Sequence, residues 1–135
     1  MKYDRLTRFL KFNVGGVEYS ARLTVGMFEQ IDDAMPKGDS LVAMFVNGTT
    51  PKLSILKKAF CIGLVKDNVP VKGKDAEHVF ETFLDENGIQ EAVNVYYALL
   101  AASHLLGASV SKTILESVGL DVKDTETDEV TEKNA

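Results

Sequence analysis

The stretch FNVGGVEYSARLT, residues 12–24, decides how the rest of this 135-residue chain is read. On one side of a glycine pair, Leu10, Phe12 and Val14 alternate with Lys11 and Asn13. On the other, Val17, Tyr19, Ala21 and Leu23 alternate with Glu18, Ser20 and Arg22. A period of two marks strands with one buried and one wet face. Gly15-Gly16 suits the connection, because hairpin turns that match strand twist need positive φ, which glycine adopts without steric penalty. The pattern predicts a β-hairpin over residues 8–23. Two strands alone are marginally stable in water, so its apolar face needs cover and its two edges need neighbours. Either the hairpin caps a core within one chain or it joins chains edge to edge; both are open at the level of sequence.

Working outward, the remaining signals are helical. Thr24 is placed to cap a helix through Val25, Phe28, Ile31 and Met35, with Pro36 and Gly38 stopping it. Asp39 or Ser40 opens a short helix over Leu41, Met44 and Phe45, ended by Asn47-Gly48. Its run VAMFV reads equally as strand or buried helix. Thr50-Pro51 starts the next helix, with Leu53, Leu56, Ala59, Phe60, Gly63 and Leu64 on one face. KDNVPVKGK, residues 66–74, reads as a loop. Asp75 then caps a helix with Ala76, Val79, Phe80, Phe83 and Leu84 inward and Glu77, Glu81 and Asp85 outward, which Asn87-Gly88 ends. The run IQEAVNVYYALLAASHLLG becomes apolar nearly all round from Val95 onward, as expected of a helix that is central or contacts another chain. SKTILESVGL adds a last amphipathic piece. No clear third strand and no internal repeat is visible. The expected fold is mainly α: an N-terminal β-hairpin packed on a multi-helix bundle, residues 1–120, followed by a disordered acidic tail, residues 121–135.

Composition narrows the function. With 45% hydrophobic and 26% charged residues the chain has enough apolar material for one domain with its own core. One cysteine, Cys61, rules out an internal disulfide and a multi-cysteine zinc site and agrees with a reducing compartment. The N-terminus has no uninterrupted apolar stretch of the signal-peptide kind, and no later segment has membrane-spanning length, so no membrane association is expected. Residues 121–135 hold six acids against two lysines, net −4 of the chain's −5. The remainder is near neutral and shows no basic stripe, which argues against nucleic acid as partner.

Catalytic patterns are weak. His78 has only carboxylates near it in sequence, and His104 lies in an apolar helix beside Ser103, whereas a zinc site needs several convergent ligands. Cys61 sits in AFCIGLV, where a buried thiol is usually inert packing. Gly15-Gly16 lacks the spacing and the lysine of a phosphate loop. The Tyr96-Tyr97 pair could stack on a ligand, but aromatic residues on a buried helix are more often core.

The order and spacing of three segments, FNVGGVEYSARLT, TTPKLSILKKAF and FLDENGIQEAVNVYYALLAAS, resemble the tail assembly chaperones of long-tailed bacteriophages and gene transfer agents. Together they span most of residues 12–103, and the polar end after Leu120 lies outside the likeness. The resemblance implies a non-enzymatic, cofactor-free protein of the host bacterial cytoplasm. Such a protein coats the tape measure protein and keeps it soluble until tail tube protein polymerises around it. That role needs an apolar surface and self-association. The sequence offers Tyr96, Tyr97, Leu100, Leu105 and Leu106 for the partner, and Phe9, Leu10, Phe12 and Tyr19 for a homo-oligomer built through hairpin edges. The rival readings are a structural tail completion or connector subunit retained in the virion, and a small-ligand-binding domain or enzyme of unknown chemistry.

Many members of the resembled family are made in two lengths by a programmed frameshift near the end of the short reading frame. Glu132-Lys133-Asn134 is the one place in this chain where GAA-AAA-AAC or GAA-AAA-AAU could supply the slippery run. The expectation is an AAA codon for Lys133 and a minor longer product in mass spectrometry of the expressed gene. An AAG codon there breaks the run and excludes the site.

Overall fold

The structure, a computed structural model, describes residues 1–120; the acidic tail and the Glu132-Lys133-Asn134 run lie outside the described residues. Three strands precede the first helix: Lys2–Tyr3 (β1), Leu10–Val14 (β2) and Val17–Ala21 (β3). The expected hairpin forms between β2 and β3, pairing Phe12 with Tyr19 and Val14 with Val17. Gly15 and Gly16 turn the chain at φ 59° and 77°, values a side chain would resist.

The hairpin is not the whole sheet. After Val25–Asp33 (α1), Leu41–Asn47 (α2) and Leu53–Ile62 (α3), the chain forms Leu64–Lys66 (β4) and Val69–Pro70 (β5). The five strands run antiparallel in the order β1-β2-β3-β4-β5. This corrects two expectations: that no further strand follows the hairpin, and that residues 66–74 are loop. The strands were missed because two or three residues carry no readable period. The turn itself was encoded: Asp67 and Asn68 sit at φ 52° and 65°, the left-handed region that these two residue types tolerate best among those with side chains. Both hairpin edges therefore have neighbours within the chain, although β1 and β4 are shorter than the strands they cover.

Helices make up most of the remainder. Thr24 caps α1 by accepting from the Met27 N–H, and Ser40 caps α2 by accepting from Ala43. Gly48 at φ 67° closes α2. Thr50-Pro51 falls just before α3, which starts at Leu53 with Lys52 as its N-cap; the helix stops at Ile62, so Leu64 belongs to the sheet rather than to a helix face. Gly73–Ala102 (α4) covers thirty residues and is interrupted at Gly88, whose φ of 83° and ψ of 170° are not helical. Asp75 is not its cap; it lies in the first turn, where a carboxylate favours the positive end of the helix dipole. Ala108–Ser117 (α5) follows.

The buried face of the sheet, with Leu10, Phe12, Val14, Ala21 and Leu64, meets α3 and α4 in one core. The Phe12 ring stands 5.4 Å from Phe60 and 6.0 Å from Phe83, and Phe60 stands 5.1 Å from Phe80. At the turn, the Gly15 N–H donates to the Glu86 carboxylate at 3.0 Å and 3.2 Å, tying the hairpin tip to α4. α5 packs on α4, α1 on α3, and α2 on α1. Among the described residues no helix is long and apolar enough to cross a membrane.

Gly63, between α3 and β4, brings two backbones together. Its carbonyl accepts from the Arg22 N–H at 3.3 Å, and a Cβ there would overlap the Arg22 carbonyl oxygen. Gly63→Ala is expected to destabilise the protein by about 3 kcal/mol, because the clash is with backbone that cannot step aside. Gly16→Ala, in open space but at positive φ, is expected to cost only about 1 kcal/mol. Urea unfolding of the two variants checks the order; equal losses would show that the β3–α3 approach relaxes freely.

Candidate functional site

The residues singled out for partner binding divide in the structure. Tyr96 and Leu100 are 3% and 2% exposed, so neither is available on the folded surface. The half of α4 that carries them is covered on more than one side, and an apolar run without a polar stripe is what such a position selects. Tyr97 is half-buried, its ring 5.2 Å from Tyr96 in an edge-on contact. Leu106 is half-buried and Leu105 exposed, both beyond the end of α4. The residues expected to mediate self-association also divide. Leu10 and Phe12 are core residues of β2. Phe9 is half-buried under the Arg22 guanidinium, 4.6 Å from its ring centre. Tyr19 is half-buried against the core.

Among the described residues, exposed apolar side chains also gather on α2. This seven-residue helix is LVAMFVN, and only Leu41 is buried. Val42 and Val46, four residues apart and therefore on one face, are 55% and 73% exposed. Phe45 is only half-buried on the same side. Across the helix, Ala43 and Met44 join Met35, Pro36 and Ile55 in lining a cavity of about 340 Å³. The sequence carried the signal: a helix this short cannot bury six consecutive apolar residues, since its neighbour covers one side only. Exposed apolar groups gathered in this way mark interaction surfaces. Leu53, 56% exposed, begins the next helix.

Burial keeps two titratable side chains, Cys61 and Tyr96, neutral. The Cys61 thiol faces the Ala76 carbonyl oxygen at 3.5 Å. Burial pushes its pKa up to about 11, with Lys57 opposing and Glu77 adding to the rise, so at neutral pH it is a thiol and a poor nucleophile. Burial, then Tyr97 and Asp32, raise the Tyr96 phenol far above its ordinary value. His78 is exposed on α4. His104 is not within a helix: it lies past the end of α4 at φ 62°, and its Nε2 stands 3.4 Å from the Tyr3 hydroxyl. Among the described residues no three His, Cys, Asp or Glu side chains gather as a metal site.

Compared with known protein families, with curated proteins and with solved structures, the chain finds no match. The functional reading therefore rests on its own residues and geometry.

The contact between His104 and Tyr3 ties β1 to the end of α4, and the partly buried ring carries a pH dependence. Burial first, and the Arg8 charge second, lower the His104 pKa from 6.5. The folded state thus favours the neutral ring. Its contribution is fully present above the unfolded value and is lost as pH falls through the folded one. The wild-type protein is expected to lose stability between about pH 7 and pH 5.5, and His104→Asn, which tolerates the same backbone, to lose less. Urea midpoints at the two pH values check this; identical slopes for both proteins would remove His104 as the cause.

Proposed function

We propose that this protein is a tail assembly chaperone of a long-tailed phage or prophage, acting in the host bacterial cytoplasm. Its client is the tape measure protein, held soluble until tail tube protein polymerises around it. The observation that carries the reading is the apolar stripe of α2, Val42, Phe45 and Val46, left outward by the fold. The order of the hairpin, the α3 segment and the α4 segment is the pattern on which the resemblance rests. Shielding an aggregation-prone chain requires no bond to be made or broken. It requires apolar surface that is open before the client arrives, since each aliphatic side chain covered contributes about 1.5–3 kcal/mol.

The client surface is thus α2, with Leu105 and the partly exposed Tyr97 and Leu106 as a second strip at the far end of α4. Tyr96 and Leu100 act only from within the core. Association into a homo-oligomer is part of the reading, because a long repetitive client binds many copies and neighbouring copies raise one another's effective concentration.

Co-expression with a tape measure protein fragment tests it. The wild-type chain is expected to hold the client in the soluble fraction. A variant carrying Val42→Lys and Val46→Lys is expected to lower the soluble client about tenfold, the equivalent of losing one buried aliphatic contact. Both positions are exposed and lysine is the better helix former, so thermal unfolding of the variant alone should be unchanged. A client that stays equally soluble with the variant, or that precipitates with the wild type, removes this function.

A further inference from the structure

We propose that the cleft between α3 and the N-terminal end of α4 is a docking site for this chain's own acidic segment, residues 121–135. The inference stands independently of the chaperone reading. It starts from how charge is distributed. Residues 52–74 contain six lysines and one aspartate, residues 75–120 one lysine and seven acids, and residues 121–135 six acids and two lysines. A chain of net charge −5 therefore carries an internal block of net +5.

The fold gathers that block. Lys57 and Lys58 of α3 and Lys72 at the start of α4 line a cavity of about 370 Å³. Lys72 also lines an adjoining cavity of about 440 Å³ with Lys66 of β4, the two sharing Val71 as a common wall. Opposing charge comes from Glu77 in the first cavity and Asp75 in the second, whose lining also includes the titratable His78. Among the described residues the ion pair in this cleft is Lys57 to Glu77 at 3.8 Å. Lys58, Lys66 and Lys72 thus outnumber the carboxylates left to meet them. Lys72 is also the N-cap of α4 and makes no side-chain cap bond, so the positive end of the helix dipole adds to the same potential. Ile62, Val71 and Ala76 supply apolar walls, and the acidic segment carries Val122 and Val130 among its carboxylates.

Reach is sufficient. The segment follows α5, which lies along α4, and α4 has thirty residues, about 45 Å if straight. The last acid, Glu132, lies twelve residues past Leu120, about 40 Å at full extension, so most of the length of α4 lies within range. Tethering gives the segment an effective concentration of order millimolar, at which individually weak surface charge pairs suffice when several act together. The competing occupant is the acidic outer face of α4 in a second copy, with Glu81 and Asp85.

Zero-length carbodiimide cross-linking of the full chain, with mass spectrometry of the monomer fraction, tests this. The expected result is amide links from Lys58 and Lys72 to acids of residues 121–135, in excess over links from Lys112, the α5 lysine nearer in sequence. These should vanish near 0.5 M salt, where the screening length falls to about 4 Å. Lys58→Glu with Lys72→Glu, both exposed positions, should reduce such links at least about fivefold, as expected from two lost charge pairs. Adding Asp128→Lys and Glu129→Lys should restore linking with the polarity reversed. Links spread evenly over Lys112 and the cleft lysines overturn the proposal, as do links found only in dimers and mapping to Glu81 or Asp85.

Discussion

Four phenylalanine rings hold this structure together. Phe12 comes from the hairpin, Phe60 from α3, and Phe80 and Phe83 from α4, with neighbouring centres 5.1 to 6.0 Å apart. Each is at most 6% exposed, and aromatic pairs at such spacings add to the gain from area alone. A hairpin is marginal until something covers its apolar face, and these contacts provide the cover. They also set the distance between α3 and the sheet, which is what lets Gly63 reach the β3 backbone and β4 continue the sheet. The same contacts keep the first half of α4 beside the hairpin, within reach of the Glu86 to Gly15 bond.

With its core satisfied from α3, α4 and the sheet, the chain leaves α2 unfinished. Leu41 and the partly buried Met44 anchor it to the core, while Val42 and Val46 leave an apolar stripe that is costly to expose to water. On the other side of α3 the surplus is of lysine charge rather than apolar area. The α2 cavity and the lysine cleft both include Ser54, so α3 stands between the exposed apolar stripe and the lysine cleft.

The hairpin, the caps at Thr24 and Ser40, and the inward face of Ala76, Val79, Phe80 and Phe83 were legible in the sequence because each depends on local rules of period and capping. The flanking strands were not, since β1, β4 and β5 acquire their conformation by pairing with neighbours already in place. The surface assignments suffered from a related limit. Helical phase says that Tyr96 and Leu100 are apolar and regularly spaced, but the number of elements that pack around them is a property of the whole fold. VAMFV failed in the opposite direction: its apolar run reads as buried, and only its short length and single-sided packing put Val42 and Val46 in solvent. The near-neutral charge of the body hides the lysine block of residues 52–74, because the acids that balance it lie elsewhere in the chain; its convergence on one cleft depends on the turn at Asp67 and Asn68, and this corrects the expectation of no basic stripe.

The place of Gly63 in the chain has a consequence for synthesis. β3 ends at Ala21 and its sheet partner starts at Leu64, with three helices translated between them. At about 5–20 residues per second, the outer edge of β3 emerges from the ribosome roughly two to nine seconds before the strand that covers it. During that interval a nascent chain offers an open strand edge to its neighbours on the same message. Slow translation through α1 and α2 lengthens that exposure, which ends only when α3 brings β4 alongside β3.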